Sequence, residues 1–119
     1  EKVLFTNNDV QMVTVPGIEG QMGILDNHAP IVTFLRPGVI NVENKLKKYF
    51  FTTGGVVDFK NNVLSILCQD IYEVEELTDQ KINELKNNAN KKIKDENCND
   101  HEFFISNTLI EELNLLKSR

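Results

Sequence analysis

Apolar and polar positions follow two rhythms along this chain. Up to about residue 77 the apolar residues come in short bursts, each closed by glycine, proline or a polar turn. Val3-Leu4-Phe5 opens the series, and Val10 to Val15 is β-rich up to Pro16-Gly17. Ile31 to Leu35 follows and ends at Arg36-Pro37-Gly38, then Val39 to Val42, and then Tyr49 to Thr53, stopped by Gly54-Gly55. Val56 to Phe59, Val63 to Cys68 and Ile71 to Val74 complete the set. Many strands separated by turn signals predict a β-sandwich or barrel. Beyond residue 77 the period lengthens: Ile82, Leu85, Ala89 and Ile93 recur at helical spacing, and Leu109, Ile110, Leu113 and Leu116 form a second stripe after a polar break over 95–100. Thr78 stands as the N-cap of the first helix, with Asp79 in its first turn and Lys91, Lys92 and Lys94 near its other end, as the helix dipole favours. Neither amphipathic helix buries its stripe alone, so the pair is expected to form a hairpin.

The distribution of turn formers sharpens the boundary. All six glycines and all three prolines lie before residue 56. The predicted domains are a β-sandwich over 1–77 and a two-helix hairpin over 78–119.

Composition narrows the partners. With 40% hydrophobic and 26% charged residues in 119, the chain has the make-up of an ordinary globular protein. Its longest apolar runs, such as Val63 to Cys68, are far shorter than the roughly 20 residues that span a bilayer, so any link to a membrane is expected to pass through another protein. No cleavable presequence is legible at the start of the chain, which leaves location open. A net charge of −5 argues against nucleic acid, and the densest basic cluster, Lys45-Leu46-Lys47-Lys48, reads as a solvated hairpin. The two cysteines form neither a disulfide framework nor a metal pattern, and Cys68, inside an apolar run, reads as a small buried hydrophobe. Lysine outnumbers arginine 11 to 2 and there are 15 asparagines, a bias that gives the asparagine-rich tail no chemistry of its own.

Motifs for chemistry are weak. Gly17-Ile18-Glu19-Gly20-Gln21-Met22-Gly23 lacks the Gly-Lys-Ser/Thr of a phosphate loop and lies between strands, so it reads as a glycine turn. Asp26-Asn27-His28 gathers a carboxylate, an amide and an imidazole, but no nucleophile stands beside them; the other histidine, His101, is in the tail. No catalytic residue, metal site or cofactor is therefore assigned. An unrelated β-sandwich enzyme using His28 is the minor alternative.

The run from Val15 to Pro30, together with Leu35-Arg36-Pro37-Gly38-Val39, closely resembles the epsilon subunit of bacterial F-type ATP synthases, called delta in mitochondria. Tyr49 to Gly55 and Asn62 to Leu67 fit the same family, so the resemblance spans about residues 3 to 77. It implies a ten-stranded sandwich followed by two antiparallel helices. It also implies a non-catalytic rotor subunit at the foot of the gamma shaft, which helps ring rotation become shaft rotation. By position in the family motif, Gln21, Met22, Asn27 and His28 would face the polar loops of the c-ring, and Thr33 would face gamma. Asp26 departs from the proline frequent in the family, adding charge to that loop.

Some bacterial members bind ATP on the hairpin through an Ile/Leu-Asp-x-x-Arg-Ala stretch. Here Ile82-Asn83-Glu84-Leu85-Lys86-Asn87 replaces the carboxylate by an amide and the guanidinium by an ammonium, which counts against a regulatory ATP sensor that brakes hydrolysis. Lys48-Tyr49-Phe50 and the Leu35 to Gly38 turn look closer to the mitochondrial version. That version implies a hairpin packed on the sandwich, a surface for a small additional stalk subunit, and a matrix-side peripheral location at the mitochondrial inner membrane. The cytoplasmic face of a bacterial membrane is the alternative.

Overall fold

The computed structural model describes residues 2–3, 12–25, 29–43, 47–61 and 63–117. The chain divides into two compact units, Glu1–Glu75 and Glu76–Arg119.

The first unit is the expected β-sandwich. Among the described residues it has nine strands, where the resemblance implied about ten: β1 (Lys2–Val3), β2 (Met12–Gly17), β3 (Gly20–Leu25), β4 (Ile31–Leu35), β5 (Gly38–Glu43), β6 (Lys47–Thr52), β7 (Gly55–Lys60), β8 (Val63–Cys68) and β9 (Ile71–Glu73). They run in the order β1-β8-β7-β4-β2-β5-β6-β9, with β3 added to β2. The path folds over where β4 meets β2. There a single registered pair, Gly17 with Leu35, joins the two halves. Ile18 N–H donates to Phe34 O at 3.0 Å and Arg36 N–H to Pro16 O at 2.9 Å at the same corner.

Alternation along the strands decides what is inside. Val13 and Val15 of β2, Ile24 of β3, Leu35 of β4, Ile40 and Val42 of β5, Val57 and Phe59 of β7, and Ile66 and Cys68 of β8 form one buried cluster. Each valine, leucine, isoleucine or phenylalanine among them contributes about 1.5–3 kcal/mol of transfer free energy as an upper estimate, since unfolded chains already hide part of their surface. Cys68 is thus the small buried hydrophobe its surroundings suggested.

One segment differs from its sequence reading in extent. The glycine turn expected between strands over Gly17 to Gly23 is present but shorter: β2 continues through Pro16 and Gly17, Ile18-Glu19 make the turn, and Gly20 already begins β3, which runs on through Gly23. The glycines serve the tightness of this hairpin. A Cβ on Gly17 would lie 2.8 Å from the Gly20 carbonyl oxygen, and Gly20 takes a φ of +137°, which side chains rarely adopt.

In the second unit, α1 (Asp79–Lys94) and α2 (Asp100–Lys117) form the hairpin. Thr78 caps α1, its hydroxyl accepting the Lys81 N–H at 3.1 Å. Asn99 does the same for α2, its side-chain carbonyl accepting the Glu102 N–H at 2.8 Å. Ile82, Leu85 and Ala89 are the buried face of α1. On α2 the expected stripe is only partly enclosed: Leu113 is fully buried, while Leu109, Ile110 and Leu116 are half-buried. Ser106 and Thr108 are buried as well. Thr108 satisfies its hydroxyl by donating to Phe104 O at 2.8 Å, the back-bond that lets a hydroxyl sit inside a helix bundle.

Candidate docking faces

The outward side of the half-sheet β4-β7-β8 is unusually apolar. Val57 and Phe59 point inward, so their neighbours Val56 and Asp58 point out. Strand register then stacks them in rows: Phe34, Val56 and Leu67 form one row, and Val32, Asp58 and Ser65 the next. Val32 is 69% exposed, Phe34 66% and Leu67 42%. Large aliphatic and aromatic side chains left side by side in water mark a surface that another macromolecule covers. The sequence reading missed this face because Ile31 to Leu35 looks uniformly apolar, and such a run does not declare which side is out.

Thr33, assigned toward gamma by resemblance, lies between the two exposed residues of β4 on the opposite side of the strand. It is paired with the buried Val57 and is itself half-buried, its hydroxyl donating to Phe34 O at 3.5 Å. The outward members of the same strand are Val32 and Phe34.

A second face belongs to the β2-β3 hairpin. Gln21 pairs with Pro16 and is exposed, whereas Met22 pairs with the buried Val15 and packs against the core cluster. Of the four residues assigned toward the c-ring, these two therefore stand on opposite sides of β3. Asn27 and His28, like Asp26, lie outside the described residues.

On the hairpin, Gln80, Asn83, Glu84, Asn87, Asn88 and Lys91 of α1 line a shallow polar depression. Phe103, Phe104 and Leu115 of α2 are exposed, as is His101. Cys98, in the connector, has its thiol pushed up, first by desolvation and then by the carboxylates of Glu102, Asp95 and Asp100. Burial likewise raises the thiol of Cys68, offset in part by a hydrogen bond with Thr52. No group of histidine, cysteine and carboxylate side chains suited to a metal occurs among the described residues. No described helix is long and apolar enough to cross a membrane.

What these residues assemble is contact surface: a β-sandwich with an apolar outward face, joined to a two-helix hairpin, the architecture of a docking module. The family described as ATP synthase, Delta/Epsilon chain, beta-sandwich domain matches residues 1–74. The ATP synthase epsilon chain of Pelagibacter ubique is 35% identical over 117 residues, covering 98% of this chain and 90% of that one. The mitochondrial ATP synthase subunit delta of Schizosaccharomyces pombe is 33% identical over 87 residues, 71% of this chain and 52% of its own length. Three further bacterial epsilon chains are matched over 58%, 55% and 53% of their lengths. Among solved structures, a chain of the Euglena gracilis mitochondrial ATP synthase, in an assembly that includes the c-ring, superposes with a TM-score of 0.70 at 26% identity, over 89% of this chain and 69% of that one. The chain belongs to the delta/epsilon family of ATP synthase subunits.

Proposed function

We propose that the chain is a non-catalytic central-stalk subunit of a proton-translocating ATP synthase, fastening the gamma shaft to the c-ring. The observation that carries this reading is the outward apolar row Phe34, Val56 and Leu67, with Phe34 and Leu67 exposed and Val56 half-buried, in a chain of this family. A shaft that met the ring alone would do so over a small footprint, and torque would slip or twist it. A packed sandwich beside the shaft widens that contact without any chemistry, because close-packed interiors transmit strain rather than absorb it.

In this reading β4 meets gamma, through Val32 and Phe34 beside Thr33. Gln21, together with Asn27 and His28, meets the ring, with Met22 holding the β2-β3 hairpin to the core. The sandwich ends near residue 77 and the hairpin over 78–119 offers Phe103, Phe104 and Leu115 to a small additional stalk subunit. The protein sits peripherally at the mitochondrial inner membrane, on the matrix side, and touches the membrane only through the ring. Two features support the ring and shaft as partners: the Euglena relative was solved in an assembly with a c-ring, and Val32, Phe34 and Leu67 leave apolar surface exposed on the outward face.

Co-expression with the gamma and c subunits of the same source tests the reading. A stable complex is expected, and Phe34→Ser should weaken it while the isolated chain unfolds at an unchanged temperature. A purified chain that ignores both partners, or that turns over a substrate unaided, overturns the proposal.

A further inference from the structure

We propose that Asp58 fixes the register of the docking face and that the shaft subunit meets it with a basic side chain, an inference that rests on the function proposed above. Asp58 is half-buried on the outward side of β7, between the inward Val57 and Phe59. Across the strands it faces Val32 and Ser65, and one row along stand Phe34, Val56 and Leu67. A carboxylate therefore lies among Val32, Phe34, Val56 and Leu67, apolar side chains that gain by leaving water.

Nothing described within the chain neutralises it. Among the described residues of the sandwich, ion pairs join Lys47 to Glu43 and Lys48 to Glu73, and Asp58 takes part in neither. Lys60 is on the same face of the same strand, but it is exposed at the strand end and none of these ion pairs joins it to Asp58.

A partner that covers Val32, Phe34 and Leu67 strips water from Asp58 as well. A buried carboxylate with no opposite charge is strongly unfavourable, whereas one met by a cation with good geometry is tolerated and selects one alignment among many apolar ones. The occupant is thus an apolar stripe carrying one basic residue, with arginine favoured because its guanidinium grips a carboxylate through two parallel hydrogen bonds. Apolar contact alone is non-directional. The charge supplies the missing direction, so that the shaft seats in one register and not a turn away.

The test uses the full chain bound to the shaft subunit, with Asp58→Asn, Asp58→Glu and Phe34→Ala compared by affinity at rising salt. Asp58→Asn should weaken association about tenfold and flatten its dependence on salt between about 0.05 M and about 0.5 M, while Asp58→Glu keeps most of both. Phe34→Ala should weaken association but leave the salt slope as in the unmodified chain. Asparagine binding as tightly as aspartate, with the salt slope unchanged, overturns the pairing while leaving the docking face intact. If Phe34→Ala also binds normally, the face itself is wrong and both ideas fall. A chain that self-associates through this face, with the Asp58 of one copy on the Lys60 of the other, shows as a dimer in sedimentation that Asp58→Asn dissociates, and it too overturns the proposal. Circular dichroism of each variant, expected to match the unmodified chain, separates loss of contact from loss of fold.

Discussion

Gln21 and Met22 are neighbours in the chain that face opposite ways: Gln21 is exposed opposite Pro16, and Met22 packs on the core opposite Val15. The same substitution at the two positions should therefore act through different physics. Met22→Lys brings a charge toward the core and is expected to destabilise the sandwich by about 1–3 kcal/mol. Gln21→Lys should leave stability within about 0.5 kcal/mol and instead weaken co-purification with the c-ring. Urea unfolding of the isolated chain and ring pull-down measure the two separately. A Gln21→Lys variant that keeps wild-type ring attachment argues against this hairpin as a ring contact.

Two glycines make contrasting demands on the sheet. A Cβ on Gly55 would fall on the Leu67 carbonyl oxygen and 3.1 Å from Cys68 Cα, so β7 and β8 could not keep their spacing. Nothing lies within 4 Å of a Cβ on Gly20, whose difficulty is only its φ of +137°. Gly55→Ala is thus expected to cost more than about 2 kcal/mol, through backbone displacement, and Gly20→Ala about 1 kcal/mol, through strain. Equal losses in urea unfolding would contradict this separation of space from conformation.

How much of this was legible in the sequence follows from what alternation encodes. In β7 the order Val57, Asp58, Phe59 puts a charge between two apolar residues, and the buried side reads directly. In β4 every residue from Ile31 to Leu35 but Thr33 is apolar, so the pattern names a strand but not its outer face. β3 was harder still. Gly20 and Gly23 lower its β-propensity, and the side on which Gln21 and Met22 fall depends on the turn being two residues long, which register with β2 sets. The helices were legible through Thr78 and the stripe of α1. The burial of Thr108 was not, because a hydroxyl satisfied within its own helix leaves no mark in a hydrophobic pattern.

The cysteines give a prediction in pH. Burial raises the Cys68 thiol above its ordinary value of 9.0, against a smaller lowering from the Thr52 hydrogen bond. The folded chain then keeps a proton that the unfolded chain gives up, so this contribution to stability is intact below the unfolded value and is lost as pH rises above it. Cys68→Ala should flatten the fall in unfolding free energy between about pH 8 and about pH 10, with other titrating groups common to both chains. Cys98 is only half-buried and should label in the native chain, faster at high salt because Glu102, Asp95 and Asp100 repel its thiolate. Labelling of Cys68 as fast as Cys98, without denaturant, would contradict its burial.

Nucleotide binding is the sharpest place where this chain should part from ATP-sensing relatives. On α1, Asn83 and Lys86 stand where the sensing stretch has a carboxylate and an arginine, and Asn83 is exposed while Lys86 is half-buried. An ammonium offers a point charge where a guanidinium offers a planar fork, so two-point grip on a phosphate is lost. The depression around Asn83 is lined mainly by amides, with Lys91 its only cation among the described residues, too little positive charge to offset a polyphosphate. Calorimetry of the isolated chain with magnesium and ATP is therefore expected to show no saturable heat below about 1 mM. Binding in the micromolar range, lost in Lys86→Ala, would restore the regulatory reading. Heat that persists in Lys86→Ala but vanishes in Lys91→Ala would instead make the α1 depression a nucleotide site with different ligands. In either case nucleotide would have to favour one arrangement of the hairpin over another to regulate anything, and equal affinity for both would leave the rotor unaffected.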